Sequence, residues 1–317
     1  MRARRLYIGL AFAAVYLIWG STFFGIRIAV EQIPPLFLAG NRFVVAGVAV
    51  LAWSAWCGKS LRDVRLRDAI IPGLLFFAAA NGAVSWAESR GLPSSTAAIL
   101  IASEPLWVAV LQRVVTRGHT PLSWAHRLGL LGGFAGTAAL VGGTPAGVDP
   151  FAAAVVLVGA AAWALGSVLV ARRAGARDRQ RPVDPVALAG LQMLVGGIAC
   201  FVGAAVLGES APEVSGLRAQ TVGAFAYLVV FGSIIGFLAY SYLLRNVAPS
   251  SAATYAYANP VVAVILGSLV GEPLEPRTLA AMALVIVSVA LTVRPATTRL
   301  PKLPRIPWRA AARAAPR

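Results

Sequence analysis

Charge is what this 317-residue chain has least of. Only 13% of its residues are Asp, Glu, Lys or Arg, against about 25% in an ordinary soluble domain. With 58% hydrophobic residues and a mean hydropathy of +0.76, the composition excludes a soluble globule and reads as an integral membrane protein. Cysteine and histidine are also scarce: Cys57, Cys200, His119 and His126 are all there are. They supply neither a disulfide framework nor a four-ligand Cys/His zinc set, so no metal and no cofactor is expected. A Walker-type Gly-x-x-x-x-Gly-Lys-Ser/Thr run is missing too, which removes a primary pump. A membrane-embedded enzyme needs a nucleophile with its base, or a metal set, at membrane depth, and neither histidine falls there.

What charge there is has one dominant sign, 28 Lys and Arg against 12 Asp and Glu. Such an excess suggests nucleic acid until its placement is considered. The basic residues fall between apolar runs of about the 20 residues that a bilayer requires, and no soluble segment is long enough for a nucleic-acid-binding surface. Ten runs can be marked, near 6–26, 36–56, 69–88, 94–115, 128–143, 151–171, 186–208, 222–244, 251–271 and 279–293. All are expected as helices, because lipid offers the backbone no other hydrogen-bond partners. The first follows Arg2, Arg4 and Arg5 as a signal peptide would, but it runs on through Trp19 and Phe23 without a clear cleavage site and is expected to be a span. With the N-terminus inside, 23 basic residues face the cytoplasm and four, Arg27, Arg90, Arg218 and Arg277, face out. The positive-inside rule then predicts cytoplasmic placement of both termini. The basic loops orient the chain and touch anionic lipid. Residues 295–317 are expected to form a disordered basic cytoplasmic tail.

A duplication is also legible. Pro93-Ser94-Ser95-Thr96-Ala97 recurs as Pro249-Ser250-Ser251-Ala252-Ala253, and each is followed by a proline inside the next run, Glu104-Pro105 and Asn259-Pro260. Gly20-Ser21 recurs as Gly166-Ser167. These spacings are near half the chain, so runs one to five and six to ten read as two copies, residues 1–145 and 146–294. Five is odd, so the copies enter the membrane from opposite sides, the inverted-topology repeat of many alternating-access transporters.

At these residues the sequence resembles the EamA-type transporters of the drug/metabolite transporter superfamily. The resemblance rests on Trp19-Gly20-Ser21-Thr22-Phe23, Arg42-Phe43, Trp86-Ala87-Glu88, Glu104-Pro105-Leu106-Trp107, Phe231-Gly232-Ser233 and, most specifically, Thr254 through Val262 to Gly271-Glu272-Pro273-Leu274. It implies an all-α protein of ten transmembrane helices in two inverted five-helix repeats around a central cavity. It further implies efflux of small metabolites or drugs across the bacterial inner membrane, without implying one substrate. The expected function is a secondary active exporter, with an uptake carrier or a passive channel as alternatives. Its expected partners are a small molecule and membrane lipid.

Ionisable groups at membrane depth are functional candidates by default. Arg42 lies roughly 9 Å along its helix from the outer surface, and Glu104 roughly 15 Å along, near the midplane; Glu88 is closer to the outer end. Arg42 is within reach of either carboxylate, as a structural ion pair or as the group that sets the ionisation of Glu104. Glu104 alone has the depth for substrate or proton binding, and Asn259 is its counterpart in the second copy. Pro105 and Pro260 are expected to free the carbonyls of Ile101 and Ala256 and act as hinges. Of the aromatics, Trp19, Tyr255 and Tyr257 are expected to wall the cavity, suiting it to amphipathic solutes or organic cations. Trp86 reads as part of an interfacial belt. Gly129, Gly132, Gly133 and Gly136, and Gly232 and Gly236, read simply as close helix packing.

Overall fold

A backbone in lipid must satisfy its own hydrogen bonds, and the described residues do so with helices alone, with no strand among them. The computed structural model describes residues 2–59, 64–116, 124–142, 149–177, 184–247, 252–253, 255–269, 271 and 276–292. In chain order the helices are α1 Arg2–Ala29 and α2 Pro35–Trp56, α3 Leu66–Ser89, α4 Ser94–Ile101, α5 Glu104–Thr116, α6 Trp124–Gly142, α7 Pro150–Arg177 and α8 Pro185–Val206. They continue with α9 Ala219–Asn246, α10 Tyr255–Leu269 and α11 Pro276–Thr292. Seven helical stretches among them, counting α4 and α5 as one, are long and apolar enough to cross a bilayer. The basic tail expected at 295–317 lies outside the described residues.

The helix ends follow from local chemistry. Pro35 opens α2 and Pro185 opens α8, a position where the missing N–H costs nothing. The orphan donors behind them find carboxylates. Asp184 accepts from the Val186 and Ala187 amides at 3.0 Å, whereas α2 takes its acceptor from the far half: Glu209 receives the Leu36 and Phe37 amides at 3.0 and 2.9 Å. Gly58 and Gly208 close the same two helices with φ of +71° and +70°, a conformation that only glycine adopts without strain.

Two of the apolar runs are not the plain α-helices that their hydropathy predicts. Within α3 the stretch Leu74–Asn81 is π-helical, and so is Leu228–Ile235 within α9. Each carries a polar side chain that bonds the carbonyl five residues back, Asn81 to Phe76 at 2.8 Å and Ser233 to Leu228 at 3.0 Å. π segments are uncommon and concentrate at functional sites. The fourth run is also interrupted. It breaks at Ala102–Ser103, between α4 and α5, and the Ser103 hydroxyl donates to the Leu100 carbonyl at 2.7 Å.

Small residues let helices from the two halves touch backbone to backbone. In α2 a Cβ on Gly47 would lie 2.9 Å from the Gly190 carbonyl oxygen, and in α8 a Cβ on Gly197 would lie 3.0 Å from that of Gly40. Helices α6 and α11 form the other long pair, with a Cβ on Gly132 2.7 Å from the Ser288 hydroxyl. Around these, α1 packs on α9 and α10, and α7 packs on α3 and α5.

Candidate functional site

Where α1, α2, α3, α7, α9 and α10 converge, a cavity of about 70 Å³ remains. Its walls draw on both halves of the chain: Trp19, Thr22 and Phe23 from α1, Arg42 and Phe43 from α2, Phe77 and Asn81 from the π segment of α3, Trp163 from α7, Gly232 and Phe237 from α9, and Tyr255 and Asn259 from α10.

Trp19 is the hub of the aromatic wall. Its ring meets Trp163 edge-on at 5.2 Å, Tyr255 edge-on at 5.1 Å and Tyr240 at 4.9 Å, offset arrangements favoured by the ring quadrupole. Its indole N–H donates to the Gly232 carbonyl at 3.1 Å, inside the π segment of α9. Gly232 and Gly236 do more here than let helices close up. A Cβ at 236 would lie 2.3 Å from the Trp19 indole nitrogen, and a Cβ at 232 would lie 2.8 Å from an Arg42 guanidinium nitrogen. The repeated Gly-Ser pair has matching work in each half. Gly20 admits Val262 and Gly166 admits Phe76, while Ser21 bonds the Tyr227 hydroxyl and Ser167 the Tyr240 hydroxyl, at 2.5 and 2.8 Å.

Arg42 does not form the ion pair with Glu88 or Glu104 that its depth invited. It is 4% exposed, and its Nε donates to the Ser233 hydroxyl at 2.7 Å, while the guanidinium carbon sits 4.7 Å from the centroid of the Phe43 ring. The reason is the π segment of α9, which presents Ser233 and the bare backbone of Gly232 to α2 where a regular side chain would stand.

Glu104 begins α5, directly after the break, and is fully buried. Its Oε2 accepts a short hydrogen bond from the Tyr255 hydroxyl, and its Oε1 has no hydrogen-bond partner among the described residues. Tyr255 begins α10, so two helix starts from different halves meet at this contact. Asn259, one turn into α10, is buried; with its amide nitrogen facing them, it donates to the carbonyls of Tyr16 and Tyr255, each at 3.2 Å, and ties α1 to α10.

The two prolines sit differently. Pro105 is the second residue of α5, where proline is at ease, so the break lies ahead of it and replaces the expected mid-helix kink. Pro260 is inside α10. Tyr257 belongs to α10, but its side chain lies outside the described residues, as does His119. Trp86 packs edge-on against Phe151 at 5.8 Å, away from the cavity walls. Sequence reasoning missed Asn81, Ser233, Phe77 and Phe237. The two phenylalanine rings are 4.7 Å apart. Two signals were available: Asn81 is a lone amide in an apolar run, and Ser233 lies in the family-like Phe231-Gly232-Ser233 string.

Comparison with known proteins gives a consistent result. A model described as the EamA-like transporter family matches residues 6–142 and again 150–294. The chain is 40% identical over 286 residues to the uncharacterized inner membrane transporter YedA of Escherichia coli (strain K12), covering 89% of each. It is 24% identical to an uncharacterized transporter of Archaeoglobus fulgidus, over 87% of this chain and 95% of that one. A crystal structure at 19% identity shares the fold, with a TM-score of 0.64 over 90% of this chain and 96% of the other.

Proposed function

The chain belongs to the EamA-like transporter family, and from that premise we propose that it is a secondary active carrier. It exports small metabolites or drugs across the inner membrane, by alternating access between two inverted five-helix halves. The observation that carries this reading is a cavity walled by both halves and bordered by interrupted helices. Carriers built from inverted repeats bind at such an interface, where half-helix ends face the solute.

The packing supports two inverted halves. If α4 with α5 counts as one span, each helix of the first half has a counterpart in the second. Exchanging counterparts turns α2 against α8 into itself, α6 against α11 into itself, α1 on α9 into α7 on α3, and α1 on α10 into α7 on α5. The π segments of α3 and α9 are counterparts as well. At about 70 Å³ the cavity is under half the ~150 Å³ that admits benzene in an engineered core. A ring-bearing solute therefore needs the halves to move apart. Pro105 with the adjoining break, and Pro260, are the hinges.

Counterflow tests the carrier reading. A solute identified by screening everted vesicles is expected to drive uphill uptake of its own labelled form after preloading, because only a carrier exchanges; equilibration without overshoot marks a channel. Topology has its own test. Reporter fusions at Ser60, Ala176 and Ala310 are expected to report cytoplasm, and those at Val148 and Ser215 the outside. A cytoplasmic signal at either of the last two removes the inverted arrangement.

A further inference from the structure

We propose that the cavity selects organic anions with a flat apolar body, and that Arg42 is the residue that recognises the anionic group. The inference rests on the carrier reading for its biological setting and on the cavity itself for its chemistry. Arg42 supplies the only formal charge among the described residues that line the cavity. Buried guanidinium groups are normally neutralised by a carboxylate, because an uncompensated charge in low dielectric is expensive. Here Glu104 is held by the Tyr255 hydroxyl and is not a wall residue. Its hydrogen-bond and ring partners among the described residues are the neutral Ser233 hydroxyl, taken by Nε, and the Phe43 face, and Tyr227 acts on Arg42 electrostatically.

That leaves the fork of Nη nitrogens without a hydrogen-bond partner among the described residues. A guanidinium fork matches the geometry of a carboxylate or sulfonate. Its position is fixed before any solute arrives: Ser233 holds Nε, Phe43 lies beneath, and Gly232 leaves room for Nη2. The remaining wall is mostly apolar and rich in aromatic rings, with the Thr22 hydroxyl and the neutral amides of Asn81 and Asn259, so a ring attached to the anionic group has a surface to lie against. The aromatic wall alone would suit organic cations, as its composition predicts. A fixed positive charge beside it reverses that preference, since like charges repel strongly at short range among buried apolar groups.

Three single-ring probes of fixed charge test this: benzenesulfonate, benzenesulfonamide and phenyltrimethylammonium, titrated into the full-length protein in lipid nanodiscs and followed by quenching of tryptophan fluorescence. Benzenesulfonate is expected to bind at least ~10-fold more tightly than the neutral sulfonamide, the range that charge-assisted hydrogen bonds supply, and the ammonium is expected to bind weakest. Arg42→Gln should abolish the preference, so that sulfonate and sulfonamide bind alike. Arg42→Lys, which keeps the charge without the fork, should retain the sign of the preference at reduced size, and it stands in if the glutamine variant does not fold. Equal binding of the three probes by the wild type, no binding of the sulfonate, or an undiminished preference in Arg42→Gln each overturn the proposal. The binding measurement is independent of transport. Arg42-dependent anion binding without counterflow leaves the site standing and removes the carrier; counterflow confined to cations or neutral solutes does the reverse.

Discussion

Replacing Glu104 with glutamine is expected to abolish solute accumulation driven by an imposed pH gradient while leaving counterflow in place. Its Oε1 is buried without a hydrogen-bond partner among the described residues, an arrangement that in a native structure calls for a functional explanation. A proton taken up there would remove the charge of a buried carboxylate that receives a single hydrogen bond among the described residues. Tyr255 links the carboxylate to the cavity wall, since its ring faces the cavity and its hydroxyl bonds Oε2. If the proposed carrier is proton-coupled, Glu104 is the group expected to take up and release the proton, with Tyr255 carrying the state of that group to the solute. Glutamine keeps the size and one acceptor but cannot exchange a proton. In everted vesicles with an acidic interior, Glu104→Gln should lower accumulation to the level of protein-free vesicles. Exchange of labelled for unlabelled solute needs no net proton movement and should persist. Tyr255→Phe should weaken the pH dependence without removing it. If Glu104→Gln accumulates solute with the wild-type dependence on pH, the coupling role is wrong, and the residue only braces α5 against α10.

Truncating Trp19 should have the largest effect on affinity. The indole touches three other rings, from α7, α9 and α10, and anchors to a π-segment carbonyl. Its loss removes a wall that belongs to both halves at once. Aromatic contacts contribute about 0.5–1.5 kcal/mol each beyond the area they bury. A solute lying against Trp19 should therefore bind Trp19→Ala at least ~10-fold more weakly. The same truncation lowers stability by roughly 3–5 kcal/mol, so Trp19→Phe is the necessary companion. It keeps a ring but loses the donor to Gly232 and the area of the fused second ring, and its affinity should fall within ~3-fold of wild type, about 0.7 kcal/mol. Gly236→Ala should resemble Trp19→Ala, because the added methyl would displace the indole. Unchanged transport affinity in a folded Trp19→Ala would place the solute elsewhere.

How much of this was open to view in the sequence depends on the range of the interaction. Span positions were legible because a bilayer imposes length and apolarity residue by residue. The paired Pro-Ser-Ser and Gly-Ser strings made two copies legible. The candidate residues Trp19, Arg42, Glu104, Tyr255 and Asn259 were each visible as polar or aromatic groups in strings that mark the family. Their partners were not. Arg42 bonds a residue 191 positions away and Glu104 one 151 positions away, and nothing local in either string encodes that choice. The π segments escaped for a different reason. Leu74–Asn81 and Leu228–Ile235 are short and mostly apolar, with only Asn81 and Gly232-Ser233 departing from that pattern, too little periodicity from which to read a change of helical pitch.

The carboxylate at the head of α2 has a consequence for how the protein is made. The Leu36 and Phe37 amides wait for Glu209, an acceptor synthesised more than 170 residues later, and the Gly40 and Gly47 face of α2 waits for α8. Translation therefore delivers the first five apolar runs to the membrane with one helix uncapped at its start and its backbone groove open to lipid. Insertion and tertiary assembly become separate events in time, and the first half is held in an unfinished state until the ribosome reaches the loop beyond α8.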